Sequence, residues 1–283
     1  MKLNFIKMHG AGNDYIYVDG MKYRIPDESA AAKKLSDRHF SIGGDGLIII
    51  KKGTNADFEM VMYNPDGSRG AMCGNGIRCV AKYLFDEGYT NGKTEFTVES
   101  MCAVKTINVN VKDGKVVSAR VDMGKPELKS SNIPVNFDGE KCINQPVTFD
   151  NREFNMTCVS MGNPHAVMFI DEHPKDFDLN NYGKVAEQNT ELFPDRVNAE
   201  FAKIIDRENI EMRVYERGTG ETLACGTGAC ATAVASIVNG YCDNKVTVHL
   251  LGGDLLIEWS GNKNDSVIMT GPAEYAFTGT VEI

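Results

Sequence analysis

Met72-Cys73-Gly74-Asn75-Gly76-Ile77-Arg78-Cys79 decides how the chain is read, because it returns as Ala224-Cys225-Gly226-Thr227-Gly228-Ala229-Cys230. Each copy is a Cys followed by Gly-x-Gly that opens an apolar run. Each run closes on a Gly-Tyr pair, Gly88-Tyr89 and Gly240-Tyr241, at the same distance from its Cys. The agreement extends upstream. Tyr63-Asn64 precedes Cys73 by the interval at which Tyr215-Glu216 precedes Cys225, and Gly12-Asn13 matches Gly162-Asn163. The offsets run from 150 to 152 residues. A period that long is not a solenoid repeat; it describes two similar halves, each presenting a Cys at the start of a helix.

A length of 283 residues agrees with two domains. Hydrophobic residues at 42% and charged residues at 24% are ordinary for a globular chain. A net charge of -9 without a basic cluster excludes the electrostatic footprint of a nucleic-acid or anionic-membrane binder and favours a small-molecule ligand. The first residues lack the apolar region of a signal peptide, and no stretch approaches the roughly 20 apolar residues of a membrane span. A cytoplasmic enzyme is expected. The eight cysteines are then expected to stay reduced, and without a Cys-x-x-Cys spacing no structural metal is expected.

Along the chain, strands at 5–8 and 15–18 flank a turn-rich loop that displays Asn13. A capped helix is expected over 27–40, then strands at 47–50 and 58–63. From Ile77 the apolar residues Val80, Ala81, Leu84 and Phe85 keep helical spacing until Gly88. A strand at 96–98 and a hairpin over 107–121, turning at Asp113-Gly114, complete the first half. The second half repeats the plan, with strands at 146–149, 166–170, 202–205 and 211–215 and a helix at 182–192. Its Cys helix is small or apolar nearly all round, so it should be enclosed on every side. Strands follow at 245–251, 255–259 and 267–269. The last, 275–283, is expected to cross back and complete the first half. The fold class is therefore α/β (α+β): two pseudo-symmetric domains, each a mixed, largely antiparallel sheet or barrel wrapped around a central helix. The expected domains are 1–123 with 272–283, carrying Cys73, and 124–271, carrying Cys225, hinged near 124–126 and 271–272.

A thiol at a helix start feels the macrodipole and the free backbone N–H groups. That placement is expected to pull the pKa from about 8.5 into the range of about 3.5 to 7.5. The Gly-x-Gly after each Cys leaves N–H groups uncovered, so the two helix starts could jointly cradle one carboxylate. One thiol on each face of that carboxylate's α-carbon makes a two-base site, which stereochemical inversion requires. Cys79, Cys102, Cys142, Cys158, Cys230 and Cys242 are read as buried structural thiols. Gly226-Thr227-Gly228-Ala229-Cys230-Ala231 also fits the loose dinucleotide pattern, but no apolar strand enters it and no βαβ unit surrounds it. His165 is divided between a satisfied core histidine and a site residue beside Asn163. Glu216-Arg217, after a strand and shortly before Cys225, is read as facing the site.

Five segments together resemble the diaminopimelate epimerases: His9-Gly10-Ala11-Gly12-Asn13-Asp14, Met72-Cys73-Gly74-Asn75-Gly76, Ser160-Met161-Gly162-Asn163-Pro164-His165, Arg196-Val197-Asn198-Ala199, and Tyr215-Glu216-Arg217-Gly218-Thr219-Gly220-Glu221-Thr222 running on to Cys225. The resemblance implies Cys73 and Cys225 as the bases of an epimerase that interconverts LL- and meso-diaminopimelate without pyridoxal phosphate, metal or other cofactor. It implies Gly74, Asn75, Gly226 and Thr227 around the reacting carboxylate and Asn13, Asn64, Asn163, Asn198, Glu216 and Arg217 around the rest of the substrate. His165 and Glu216 would be supporting groups, the site would lie between two similar domains, and the protein would be a homodimer. Two positions depart from the family pattern. Gly46 stands where many members carry a substrate-contacting Gln, and Phe277 stands where a Tyr near the C-terminus is usual. A proline-type racemase would carry His where this chain has Asn75. A thiol-disulfide protein would keep its resolving Cys close in sequence, unlike Cys73 and Cys225.

Overall fold

The computed structural model describes residues 1–101 and 103–283, so the reading of Cys102 as a buried thiol lies outside the described residues. The chain divides into two compact units, Met1–Val121 with Gly271–Ile283, and Asp122–Thr270.

The first unit contains β1 (Lys2–Gly10), β2 (Asn13–Asp19), α1 (Glu28–Ser36), β3 (Leu47–Lys52), β4 (Phe58–Tyr63), the short β5 (Arg69–Gly70), α2 (Gly74–Asp86), β6 (Glu95–Glu99), β7 (Val104–Lys112) and β8 (Lys115–Gly124), which runs past the unit's end. The β7–β8 turn has Asp113 at φ 51° and Gly114 at φ 74°, the left-handed pair that a two-residue hairpin turn demands. Strand β2 pairs in parallel with β3, and both are buried on both faces, as a parallel pair enclosed by helices should be. Ile16 and Val18 of β2 with Leu47 and Ile49 of β3 pack with Ala31, Ala32 and Leu35 of α1. The alternating residues face the other way, and Tyr17 donates from its hydroxyl to the Gly76 carbonyl of α2 at 3.4 Å.

The second unit contains β9 (Gln145–Phe149), β10 (Arg152–Ser160), β11 (Pro164–Phe169), α3 (Leu179–Glu187), β12 (Asn198–Ile204), β13 (Asn209–Glu216), β14 (Gly220–Thr222), α4 (Gly226–Val238), β15 (Lys245–Leu250), β16 (Gly253–Glu258) and β17 (Val267–Gly271). The order of pairing is β9-β10-β11-β12-β13-β15-β16-β17, with parallel pairs only at β11–β12 and β13–β15. In the first unit β18 (Glu274–Glu282), β1, β2, β3, β4, β6, β7 and β8 pair in the same pattern, with parallel pairs at β2–β3 and β4–β6. The last strand does return to the first half: β18 lies antiparallel along β1, from Lys2 opposite Glu282 to His9 opposite Glu274. In the second unit α3 covers one sheet face through Phe154, Phe177 and Phe201, while α4 touches β10, β11, β12, β13, β15 and β16 on the other. Helix α4 is buried from Gly226 to Ser236 except at Thr227, as its composition requires.

Two helices differ from their expected spans. Helix α1 stops at Ser36 instead of continuing to Phe40. Asp37 turns extended (ψ 118°), and its carboxylate takes the His39 and Phe40 N–H groups at 2.8 and 2.9 Å, leaving Phe40 92% exposed. Helix α3 begins at Leu179 because Asp178 caps it, accepting from the Asn181 N–H at 3.3 Å. It ends at Glu187 because Asn189 closes a separate turn by accepting from the Leu192 N–H at 3.0 Å. Strands β11 and β12 begin earlier than expected, which places His165, Asn198 and Glu200 inside strands.

Candidate active site

Cys73 is the N-cap of α2, in extended geometry at φ -132° and ψ 117°, and its Sγ accepts from the Gly76 N–H at 3.3 Å. The thiol donates to Asn13 Oδ1 at 3.2 Å. Asn13 is held in turn by its Nδ2, which donates to Asp45 Oδ2 at 2.6 Å. Arg38 bridges Asp14 and Asp45 at 2.6 and 2.8 Å, and Lys7 pairs with Asp14 at 2.5 Å. Burial works to raise the Asp14 carboxyl, but Arg38 and Lys7 hold it below the usual carboxylate range. A charged cluster thus fixes the loop that presents Asn13. Gly74 and Asn75 head the helix, both buried, and Gly74 accepts from Arg78 Nη1 at 3.1 Å. Asn64 stays in its own turn after β4, where its amide donates to Ser68 Oγ at 2.9 Å. Gly46 has φ 150°, and an added Cβ would fall 2.2 Å from the Tyr63 carbonyl oxygen, so this backbone has no room for the Gln common in the resembled family.

Cys225 caps α4 in the same way, at φ -116° and ψ 110°, with Sγ accepting from the Gly228 N–H at 3.4 Å and the Thr227 hydroxyl 3.5 Å away. Gly226 is the first helical residue. Thr227 Oγ1 accepts from Asn163 Nδ2 at 3.3 Å, and Asn163 Oδ1 meets His165 Nε2 at 3.0 Å. His165 is fully buried, and its Nδ1 lies 2.6 Å from Oε1 of Glu200, which is equally buried. Asn198 is clamped at both ends, donating to the Pro164 carbonyl at 3.0 Å and accepting from the Arg217 N–H at 2.9 Å. The exposed Arg217 guanidinium donates to the Asp195 carbonyl at 2.9 Å, and Glu216 accepts a short hydrogen bond from the Thr222 hydroxyl.

The structure gathers Cys73, Asn13, Gly74 and Asn75 in the first unit, and Cys225, Gly226, Thr227, Asn163 and His165 in the second. Asn198 and Arg217 join through the Arg217 N–H, and Glu216 is close enough to act on Cys225 electrostatically. The thiols themselves correct an expectation. Both pKa values are raised, not lowered, because burial outweighs the helix start. At Cys73 the Gly76 and Asn75 N–H groups only partly offset it. At Cys225 the Glu216 and Glu200 charges add to burial, and the Thr227 and Gly228 contacts do not overcome them. Cys79, Cys142, Cys158, Cys230 and Cys242 are buried free thiols, as read.

Sequence reasoning missed Asp45 and Glu200, the two carboxylates that anchor Asn13 and His165. The signal for Glu200 was a lone charge inside the apolar run 199–202, at the position that answers Ile48 in the first copy.

A family model described as diaminopimelate epimerase matches residues 5–129 and 157–276. The chain is 53% identical over 281 residues to the diaminopimelate epimerase of Acetivibrio thermocellus, covering 99% of each chain. It is 48% identical to that of Leptospira biflexa over the full length of both. Among solved structures it is similar to a Bacillus anthracis phenazine biosynthesis protein of the PhzF family (TM-score 0.74, 15% identity, all of both chains). It is also similar to a hydroxyproline epimerase from Agrobacterium vitis (TM-score 0.71, 14% identity, 99% of this chain and 91% of that one). At such identities these two establish the fold alone.

Proposed function

The chain belongs to the diaminopimelate epimerase family, and from that membership we propose that it interconverts LL- and meso-2,6-diaminopimelate with Cys73 and Cys225 as its two bases. The observation that carries this is the matched capping: each unit ends a strand-and-turn segment on a Cys whose Sγ accepts from the N–H three residues into a buried helix. One thiolate takes the α-proton, forming an S–H bond and leaving the electron pair delocalised into the carboxylate. The other thiol gives its proton to the opposite face, so nothing is consumed and the two sulfurs exchange roles. The N–H groups at Gly74-Asn75 and Gly226-Thr227 are suited to the charge that builds on the carboxylate. Asn13, Asn64, Asn163, Asn198 and Glu216 supply partners for the rest of the substrate, and Arg217 offers a planar fork for its distal carboxylate. His165 supports the Cys225 side through Asn163. Proline lacks a distal group, so a site built to meet one should reject it.

Two domains, 1–123 with 272–283 and 124–271, each bringing one thiol, belong to the same proposal. So do a role in lysine and peptidoglycan precursor synthesis, a cytoplasmic setting and a homodimer, the last to be checked by sedimentation. The central test is stereochemical. Cys73→Ala and Cys225→Ala should each fold yet lose epimerisation of LL-diaminopimelate by at least the 10² to 10⁴ of a positioned proton-transfer group. Near-normal turnover by either variant, or racemisation of proline with diaminopimelate untouched, would sink the proposal.

A further inference from the structure

The two units match strand for strand, and they part company under the cysteines. Below the start of α2, strands β2 and β3 carry Tyr15 and Ile48. At the matching positions in the second unit, β11 and β12 carry His165 and Glu200. Ile48 and Glu200 correspond in contact as well as in sequence. A Cβ built on Gly76 would lie 2.7 Å from Ile48 Cδ1; one built on Gly228 would lie 2.7 Å from Glu200 Oε1 and 3.3 Å from Cys225 Sγ. An apolar contact in one copy is a carboxylate in the other. A buried charge is unfavourable unless paired, and the first unit forms the same sheet and helix with an apolar residue at this place. Folding alone therefore does not call for Glu200.

We propose that Glu200 is a positioning residue for the Cys225 half of the site. Its Oε1 fixes the His165 ring at Nδ1, His165 Nε2 meets Asn163 Oδ1, and Asn163 Nδ2 donates to the Thr227 hydroxyl beside Cys225. The same carboxylate places negative charge next to Cys225, where Ile48 places none next to Cys73. Its Oε2 is buried with no hydrogen-bond partner among the described residues, so His165 holds only one of the two carboxylate oxygens. The groups that face Glu200 are His165 on β11, Cys158 on β10, Glu216 at the end of β13 and Cys225 at the head of α4. Those that face Cys225 are Glu200, Glu216, Thr227 and the Gly228 N–H. Glu200, together with Glu216, thus makes the two thiols unequal.

The inference rests on Cys225 being one of the two bases, but its test reads the thiols without turnover and so fails separately. In the full-length protein, iodoacetamide alkylation of each Cys is followed against pH by peptide mass spectrometry. Removing a neighbouring negative charge favours the thiolate, so Glu200→Gln should lower the Cys225 midpoint by about 1 unit or more, the usual scale for a nearby charge, and leave that of Cys73 in place. The rising limb of the pH–rate profile should move the same way. Should Glu200→Gln fail to fold, the double variant Glu200→Ile with His165→Tyr rebuilds the pair that the first unit already carries, and it should show the same selective shift. A Cys225 midpoint that stays put, or two midpoints that move together, would overturn the proposal.

Discussion

At Cys225 a single sulfur feels opposed influences. The Gly228 N–H and the Thr227 hydroxyl favour the thiolate, while burial and the Glu216 and Glu200 carboxylates disfavour it and prevail. Cys73 has burial against it, the Gly76 and Asn75 N–H groups for it, and no carboxylate among its leading influences. In the wild-type protein both thiols should therefore alkylate with midpoints above the value of about 8.5 for a free cysteine, and Cys225 should lie above Cys73. A midpoint for Cys225 below Cys73, or either one below neutrality, would contradict this order. The place of the two cysteines at matched helix starts was legible in the sequence because the phrase that carries them is repeated. Their electrostatics were not, because the balance turns on solvent exclusion and on Glu200, which only the pairing of β11 with β12 brings to His165.

The two Cys helices offer a matched pair of glycines on which to separate packing from chemistry. Gly→Ala within a helix ordinarily gains up to about 1 kcal/mol from propensity. At Gly76 the new methyl would press on Ile48 Cδ1, the free end of a flexible side chain, so Gly76→Ala should stay within about 1 kcal/mol of wild type in thermal denaturation. At Gly228 it would press on the Glu200 carboxylate and on Cys225 itself. Gly228→Ala should lose about 1 to 3 kcal/mol through overpacking and, unlike its counterpart, most of its turnover. Equal effects at the two positions would show that Glu200 is free to yield. Helix limits were the least legible feature at this scale. Apolar spacing continues through Phe40, but the Asp37 carboxylate captures the His39 and Phe40 N–H groups, and a local hydrogen bond of that kind overrides periodicity.

At the scale of the whole chain, the repeat offset and the length made two halves the expectation, and the return of the final strand to β1 was read from that plan. Which strands lie parallel was not legible, because that is decided by long-range pairing such as Ile16 opposite Leu47 and His165 opposite Asn198. Strand β18 makes the first unit depend on distant sequence. Without residues 274–283, β1 would become a bare edge along its whole length. A chain truncated there should show fast proteolysis and early hydrogen exchange within Met1–Val121, with Asp122–Thr270 far less affected; uniform loss of protection would refute that. The two chain termini meet beside the β1–β18 pair, with the Ile283 N–H donating to the Met1 carbonyl at 2.9 Å. Synthesis proceeds from the other end of this relationship. Domains usually fold in the order in which they emerge from the ribosome, but here β18 is made only after every residue of Asp122–Thr270. The unit that starts first can be sealed only last, so during translation its β1 edge waits, unpaired and open to other nascent chains, for as long as the second unit takes to be made.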